Sequence, residues 1–178
     1  MKITKLWKGL KQIANGDYVL EGDLICDEDL VVELDDRLVV RGKIEVKKSI
    51  KAGCGIEAGR GIEAGWGIEA GRGIEAGRGI EAGWGIEAGE GIKAGWGIEA
   101  KTFIHAEKRI FAGLYIYHTS GDCEKHIKCA ELRKGEICYG DLIIEEPVVE
   151  MTIAEIEAKL GIKNLKIKQP AEGGMRDV

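Results

Sequence analysis

A six-residue unit, Gly-Ile-Glu-Ala-Gly-x, repeats with almost no change between Gly55 and Ala100 and restricts the fold more than any other feature. Aliphatic residues continue its isoleucine column in steps of six, back to Val32 and forward to Ile116. A second column of small or aliphatic residues follows two positions later, from Leu34 to Ala112. The unit is therefore the centre of a longer and less regular array, which we place at residues 24–118.

A period of six matches neither the 3.6-residue period of an α-helix nor the seven-residue repeat of a coiled coil. Isoleucine and alanine alternate with glutamate, as in a short β-strand with one buried face. The glycines that flank the variable residue allow the chain to turn a corner. Three such sides close a coil of about 18 residues, so the sequence predicts an all-β fold, a triangular parallel β-solenoid with rungs about 4.8 Å apart.

The alternative to a solenoid is a glycine-rich disordered tract. The isoleucine column is unbroken along the array, and serine and proline are almost absent from it. Both observations favour the solenoid, because disordered segments are poor in large aliphatic residues and rich in serine and proline.

The sixth residue of the unit is the one whose identity the predicted coil does not restrict, since it varies among arginine, tryptophan and glutamate. Residues about 18 positions apart stack in a three-sided coil, so the variable residues sort into three corner columns. The columns are Cys54, Arg72 and Glu90; Arg60, Arg78 and Trp96; and Trp66, Trp84 and Thr102. Exposed tryptophan is typical of binding hot spots, which makes the tryptophans and arginines of these columns candidate partner-binding residues. The alternatives are that a terminal segment covers the tryptophans, or that they stack on each other and on Arg72 or Arg78.

A column of glutamates without an internal cation is predicted on one face of the coil. It consists of Glu45, Glu63, Glu81 and Glu99. Like charges stacked at the rung spacing repel each other by roughly 1 kcal/mol per neighbour in water. The column is either a solvated face that resists aggregation or an acidic strip that docks a basic surface of another protein. In the second case these four glutamates are also candidate partner-binding residues.

The two ends of the chain depart from the repeat and are predicted to cap the solenoid, whose last rungs would otherwise expose unpaired backbone. Residues 1–23 are expected to cap one end, and residues 119–168 to form a small mixed cap or a dimerisation region. Residues 151–161 have a capping box at Thr152 and Glu155 and an apolar stripe, which predict one short helix. Residues 169–178 are expected to be a flexible tail.

Five cysteines in a chain without a recognisable secretory signal predict free thiols in a reducing cytosol. Cys123, His126, Cys129 and Cys138 are the candidate zinc ligands. Their spacing lacks a Cys-x-x-Cys pair, and buried thiols with a surface histidine are the alternative. We therefore expect neither a metal nor a cofactor.

The pattern resembles the hexapeptide repeats of left-handed β-helices but departs from their order, in which a small residue stands two positions before the aliphatic one. Here alanine follows isoleucine by two positions, and bulky arginine or tryptophan precedes it by two. Because such bulky groups do not fit into the core, we favour a right-handed coil, similar to bactofilin-type repeats.

The sequence contains no nucleophile elbow, phosphate-binding loop or zinc-protease motif, so we expect a protein that is not an enzyme. The resemblance to hexapeptide proteins raises one alternative, because acyltransferases of that group use a histidine in a groove between subunits. His105, His118 and His126 are the candidates for such a role. Lone histidines are more often structural.

Two features together resemble uncharacterised hexapeptide-repeat β-helix proteins of Firmicutes phages and prophages. One is the GIEAGxGIEAG array that runs into RIFAGLYIY and GEICYGDLI, and the other is the TIAEIEAKLG tail followed by LKI. The resemblance implies a mobile-element origin and carries no catalytic residues. Small acidic phage proteins often inhibit host defence, as anti-CRISPR proteins do, so we expect a cytoplasmic inhibitor that binds a host protein. A structural or self-assembling phage protein is the alternative.

Charge and hydropathy narrow the list of partners. The net charge of −5 and a pI near 5.4 argue against direct binding to nucleic acid. No apolar run of about 18 residues is present, so no membrane-spanning helix is expected. The partners that remain are a host protein and a second copy of the chain, with a dimer favoured.

Overall fold

The described part of the chain consists of short β-strands joined by tight corners. The structure is a computed structural model, and it describes residues 1–114 and 125–145. The strands are β1 (Lys2–Thr4), β2 (Leu10–Gln12), β3 (Tyr18–Leu20), β4 (Leu24–Cys26), β5 (Leu30–Glu33), β6 (Leu38–Val40), β7 (Ile44–Val46), β8 (Ile50–Ala52), β9 (Ile56–Ala58), β10 (Ile62–Ala64), β11 (Ile68–Ala70), β12 (Ile74–Ala76), β13 (Ile80–Ala82), β14 (Ile86–Ala88), β15 (Ile92–Ala94), β16 (Ile98–Ala100), β17 (Phe103–Phe111), β18 (His126–Cys129), β19 (Glu131–Tyr139) and β20 (Asp141–Ile144). No helix occurs among these described residues, and the predicted all-β class is confirmed.

The strands stack in three faces, each built from every third strand of the coil. Face A contains β1, β5, β8, β11, β14 and the first half of β17; face B contains β2, β3, β6, β9, β12, β15 and the second half of β17; face C contains β4, β7, β10, β13, β16, β18 and β20. Pairing along the array is parallel and in register, so that Ile62 stands between Ile44 and Ile80. The predicted triangular β-solenoid is thereby confirmed, with about six coils of about 18 residues.

The interior is filled by the two columns that the sequence predicts to point inward. The isoleucines from Ile44 to Ile110 are at most 2 % exposed, and the alanines from Ala52 to Ala112 are at most 6 % exposed. Side chains alternate along a strand, so the residue between each isoleucine and alanine points outward, where the unit has glutamate or lysine. The core is one continuous stack of these side chains. The middle residue of each strand and the corner residues are not part of the core, so they are the positions that can contact a partner.

From Gly59 to Gly89, the glycine before the variable residue is required because the chain passes very close to the preceding rung. A Cβ added at Gly83 would lie 2.0 Å from the carbonyl oxygen of Gly65, and a Cβ at Gly71 would lie 2.2 Å from that of Gly53. The glycines with positive φ among the described residues all lie outside the stretch from Gly53 to Gly97. Close approach of the backbone, and not a left-handed conformation, therefore fixes this position.

The first strands are out of phase with the prediction. Leu30 pairs with Ile50, and Val32 pairs with Ala52. Leu30 therefore occupies the isoleucine column, and Val32 occupies the alanine column. The interpretation that placed Val32 in the isoleucine column and Leu34 in the alanine column is wrong.

The physical reason is one longer connection between β5 and β6. Leu30 and Leu38 are eight positions apart, whereas the equivalent residues Ile50 and Ile56 are six apart. Asp35 in this connection accepts hydrogen bonds from the Tyr18 hydroxyl at 2.8 Å and from the Lys5 ammonium at 2.7 Å. These two hydrogen bonds hold the connection against the first coil. The bond from Lys5 is the main reason that the pKa of the Asp35 carboxyl is below its usual range.

Strand pairing extends beyond both boundaries that were expected for the array, residues 24 and 118. On the N-terminal side, β1 and β3 add parallel strands to β5 and β6, and β2 adds an antiparallel edge to β3. On the C-terminal side, β18, β19 and β20 add parallel strands to β16, β17 and β18. Ile127 stands opposite Ile98, where the six-residue period expects Ile116.

Several predictions concern residues that lie outside the described part of the chain. They are the position of Ile116, the helix at 151–161 and the tail at 169–178. The right-handed sense of the coil also stays a prediction.

Candidate functional site

The variable residues form the predicted corner columns, because consecutive members are joined by backbone hydrogen bonds. At the corner between faces C and A, the Trp84 amide donates to the Trp66 carbonyl at 3.0 Å, and the Thr102 amide donates to the Trp84 carbonyl at 3.0 Å. At the corner between faces B and C, the Arg78 amide donates to the Arg60 carbonyl at 3.0 Å. The side chains of a column therefore project from a hydrogen-bonded backbone, and consecutive side chains are one rung apart.

Trp66 and Trp84 form an exposed corner, which we call the tryptophan edge. They are 59 % and 62 % exposed. Between residues 26 and 113, all of which the structure describes, they are the two large apolar residues that are exposed. Flanking glycines have no side chains to cover the indole rings, so the rings present their apolar surface to solvent.

The tryptophan edge continues into a pair of side chains that the sequence did not reveal. Phe103 stands where the repeat has glycine, and its ring fills the space beside Gly85, since a Cβ at Gly85 would lie 2.5 Å from a ring carbon. The guanidinium carbon of Arg133 lies 3.6 Å from the centroid of the Phe103 ring, a cation–π contact. Gly85 directly follows Trp84, so Phe103 extends the apolar surface by one rung. A phenylalanine in a column of glycines was the available signal.

Trp96 lies at the corner between faces B and C and is packed differently. The guanidinium carbon of Arg78 lies 5.3 Å from the centroid of the Trp96 ring, and Trp96 is half-buried. Arg60, one rung further along this corner, has its Nη1 3.9 Å from Asp23 Oδ1. The alternative in which a tryptophan stacks on an arginine therefore applies to Trp96, which is separate from the tryptophan edge.

The third corner, between faces A and B, contains ion pairs between its charged side chains. Arg72 Nη1 lies 3.3 Å from Asp36 Oδ1, and Lys108 Nζ donates to Glu90 Oε1 at 3.0 Å. The hydrogen bond from Lys108 is the main reason that the pKa of the Glu90 carboxyl is below its usual range. Arg72 therefore lies at a different corner from the tryptophan edge and pairs with a carboxylate of its own chain.

The predicted acidic column is present along face C, and we call it the glutamate ladder. It consists of Glu45, Glu63, Glu81 and Glu99, which stand opposite one another in consecutive strands. Its two ends have cationic or hydrogen-bonding neighbours, since Lys43 pairs with Glu45 and His126 Nε2 lies 2.6 Å from Glu99 Oε1. The centre of the ladder, Glu63 and Glu81, lies beside an open groove that Arg60 and Arg78 also line.

The candidate zinc ligands that the structure describes, His126, Cys129 and Cys138, do not form a metal site. Cys129 is buried in the core column and Cys138 is exposed, while Cys123 lies outside the described residues. Burial raises the pKa of the Cys129 thiol and so disfavours the thiolate that zinc binds. Among the described residues, no group of three or more histidine, cysteine, aspartate or glutamate side chains is placed to hold a metal ion.

The two histidines that the structure describes are each held by a carboxylate. His126 lies against Gly97 and bonds to Glu99, and His105 Nε2 lies 2.9 Å from Glu107 Oε1. His118, the third candidate for acyl transfer, lies outside the described residues. The contact of His126 with the glutamate ladder could not be predicted, because no further repeat unit follows Ala112 in the sequence.

Comparison with protein-family models, curated proteins and solved structures finds no match for the chain in any of the three. Among residues 1–114 and 125–145, no helix is long and apolar enough to cross a membrane. The corner columns and the glutamate ladder are therefore the basis for a proposal on function.

Proposed function

We propose that the protein is a non-enzymatic binding protein, in which the solenoid holds the tryptophan edge in place for a protein partner. The observation that carries the proposal is the exposure of Trp66 and Trp84 on consecutive rungs of one corner. Large, stiff aromatic side chains bury much apolar area in an interface at a low cost in conformational entropy. Because their backbone is already fixed in the corner ladder, little further ordering is needed on binding.

The surroundings of the tryptophan edge define the kind of partner. Glu63 and Glu81 lie on face C on one side of it, and Glu69 and Glu87 lie on face A on the other. A complementary surface has an apolar pocket for the indole rings and basic residues at its rim. Protein grooves that bind nucleic acid have basic rims of this kind.

The partner that we propose is a host protein, which the solenoid inhibits by covering a groove that the host protein needs for its substrate. The resemblance of the sequence to phage and prophage proteins is the motive for this choice. The target class is a nucleic-acid-binding protein of host defence, such as a CRISPR effector. The place of action is then the host cytoplasm, and binding needs no cofactor.

A pull-down from an extract of a Firmicutes bacterium tests the tryptophan edge. The informative variant is Trp66→Arg/Trp84→Arg, because the repeat itself has arginine at the same corner position in Arg60, Arg72 and Arg78. We expect the wild-type protein to capture a partner that this variant does not capture. The control variant Arg72→Ala is expected to bind like the wild type. Equal capture by all three proteins would remove the tryptophan edge from the proposal.

A second candidate function is that of a self-assembling structural protein. The last described rung favours it, since the inward-facing Leu142 and Ile144 are 42 % and 49 % exposed. Their strand, β20, is the edge of its sheet within the described residues. An open apolar rung with a strand edge can stack on the end of another solenoid. Light scattering over a concentration series distinguishes this function, because an open polymer keeps growing and a fixed small oligomer does not.

A further inference from the structure

Two columns of opposite charge run side by side along face C. Arg60 and Arg78 stand at the corner between faces B and C, and Glu63 and Glu81 stand in the middle of the face, one in the strand after each arginine. All four side chains are exposed, and all four line the open groove between the columns. Each of two consecutive rungs on this surface therefore carries one positive and one negative side chain, Arg60 with Glu63 and Arg78 with Glu81.

The spacing of these charges limits the partner that fits them. Consecutive members of each column are about 4.8 Å apart, the distance between paired strands. Side chains on one face of an extended peptide are about 6.6 Å apart, and residues i and i+4 of an α-helix are about 6 Å apart along the axis. A second copy of this chain has the same rise per rung, so the spacing of its charged side chains matches that of both columns.

A two-fold axis that runs along the groove, parallel to the solenoid axis, brings opposite charges together. It places the arginine column of each copy against the glutamate column of the other, because contacts across a two-fold axis are reciprocal. Rungs of the two copies stay level when their axes are parallel. Arg60 then meets the partner's Glu63, and Arg78 meets the partner's Glu81.

We propose that this part of face C is a self-association surface, on which a second copy of the chain lies side by side with its axis parallel. Guanidinium–carboxylate pairs on each rung offset the repulsion within both columns. The tryptophan edge lies at the opposite end of face C, so the contact leaves it open on both copies. The inference goes beyond the proposed function, and either can fail without the other.

Charge reversal followed by mixing tests this surface in the full chain. Variant Arg60→Glu/Arg78→Glu has two acidic columns, and variant Glu63→Arg/Glu81→Arg has two basic columns. We expect the wild type to sediment as a dimer at low salt, and each variant alone to have a dimer Kd at least about tenfold higher, since like charges face each other. An equimolar mixture of the variants is expected to restore the dimer, because each acidic column then faces a basic one.

The matched control is Glu69→Arg/Glu87→Arg, which makes the same substitution at the same repeat position on face A. It is expected to dimerise like the wild type, and circular dichroism checks that every variant keeps its β-structure. The inference is overturned if the wild type is a monomer at every concentration. It is also overturned if the reversals leave the dimer unchanged, if the control breaks it equally, or if the mixture does not restore it.

Discussion

In the middle of the repeat, the glycine before the variable residue and the glycine after it are not equivalent, although the sequence repeats both equally. A Cβ at Gly83 would lie 2.0 Å from the carbonyl oxygen of Gly65. A Cβ at Gly79 would come no closer than 3.5 Å to the carbonyl oxygen of Gly97. The first distance is too short for any pair of heavy atoms that are not bonded, whereas the second is an ordinary contact.

We expect Gly83→Ala to lower the free energy of unfolding by about 1–3 kcal/mol, the usual cost of overpacking. Gly79→Ala is the matched control, and we expect it to change the free energy of unfolding by no more than about 0.5 kcal/mol. Urea unfolding followed by circular dichroism measures both values. Equal losses at the two positions would show that the close approach of the backbone does not set the requirement for glycine.

The tryptophans of different corners are expected to differ in their contribution to stability. Trp66→Arg/Trp84→Arg should change the free energy of unfolding by no more than about 0.5 kcal/mol, because the rings are exposed. Trp96→Ala should lower it by about 1–2 kcal/mol, because that ring is half-buried and packs against Arg78. Thermal unfolding compares the variants. A large loss in the first variant would mean that the tryptophan edge supports the fold and not a partner.

A strand of three residues is stable here because it shares its burial with the rungs on either side. Ile80 of β13 is 0 % exposed and stands between Ile62 and Ile98. Ile80→Ala is expected to cost about 2–5 kcal/mol, the range for removing a buried branched side chain. Each rung contacts only its neighbours, so hydrogen exchange should lose protection first in the rungs next to β13. Uniform loss along the chain would contradict this picture.

An ion pair between rungs adds a pH dependence to the corner between faces A and B. The Lys108 hydrogen bond lowers the pKa of Glu90 in the folded state, so the stabilisation is complete above the ordinary glutamate pKa of about 4.3 and is lost as the pH falls below it. The melting temperature of the wild type should therefore exceed that of Glu90→Gln at pH 7, with the difference shrinking as the pH falls below about 4.3. A difference that is equal above and below this pH would contradict this assignment.

Over the whole molecule, the core, the faces and the corner columns could be predicted because the six-residue period specifies each coil directly. The placement of Trp66 and Trp84 on consecutive rungs of one corner and the glutamate ladder followed from that period alone. The phase of the first strands could not be predicted, because the longer connection after β5 leaves an aliphatic residue, Val32, in step with the array by coincidence.

The C-terminal rungs escaped prediction for a different reason. Strands β18 to β20 contain no Gly-Ile-Glu-Ala unit, and residues 115–124 interrupt the period before them. Their register therefore depends on packing against β16 and β17, and no local sequence pattern predicts this packing. For this reason the contacts of Arg133 with Phe103 and of His126 with Glu99 could not be read from the sequence.

Site-specific photo-crosslinking shows whether the tryptophan edge is the surface through which the solenoid binds its partner. A benzophenone amino acid replaces Trp66, Trp84 or Arg72 in turn, and each protein is irradiated in an extract of a Firmicutes bacterium. We expect the same host-protein adduct from positions 66 and 84 and none from position 72, which lies at another corner. Adducts of equal yield from all three positions, or none from positions 66 and 84, would contradict this proposal.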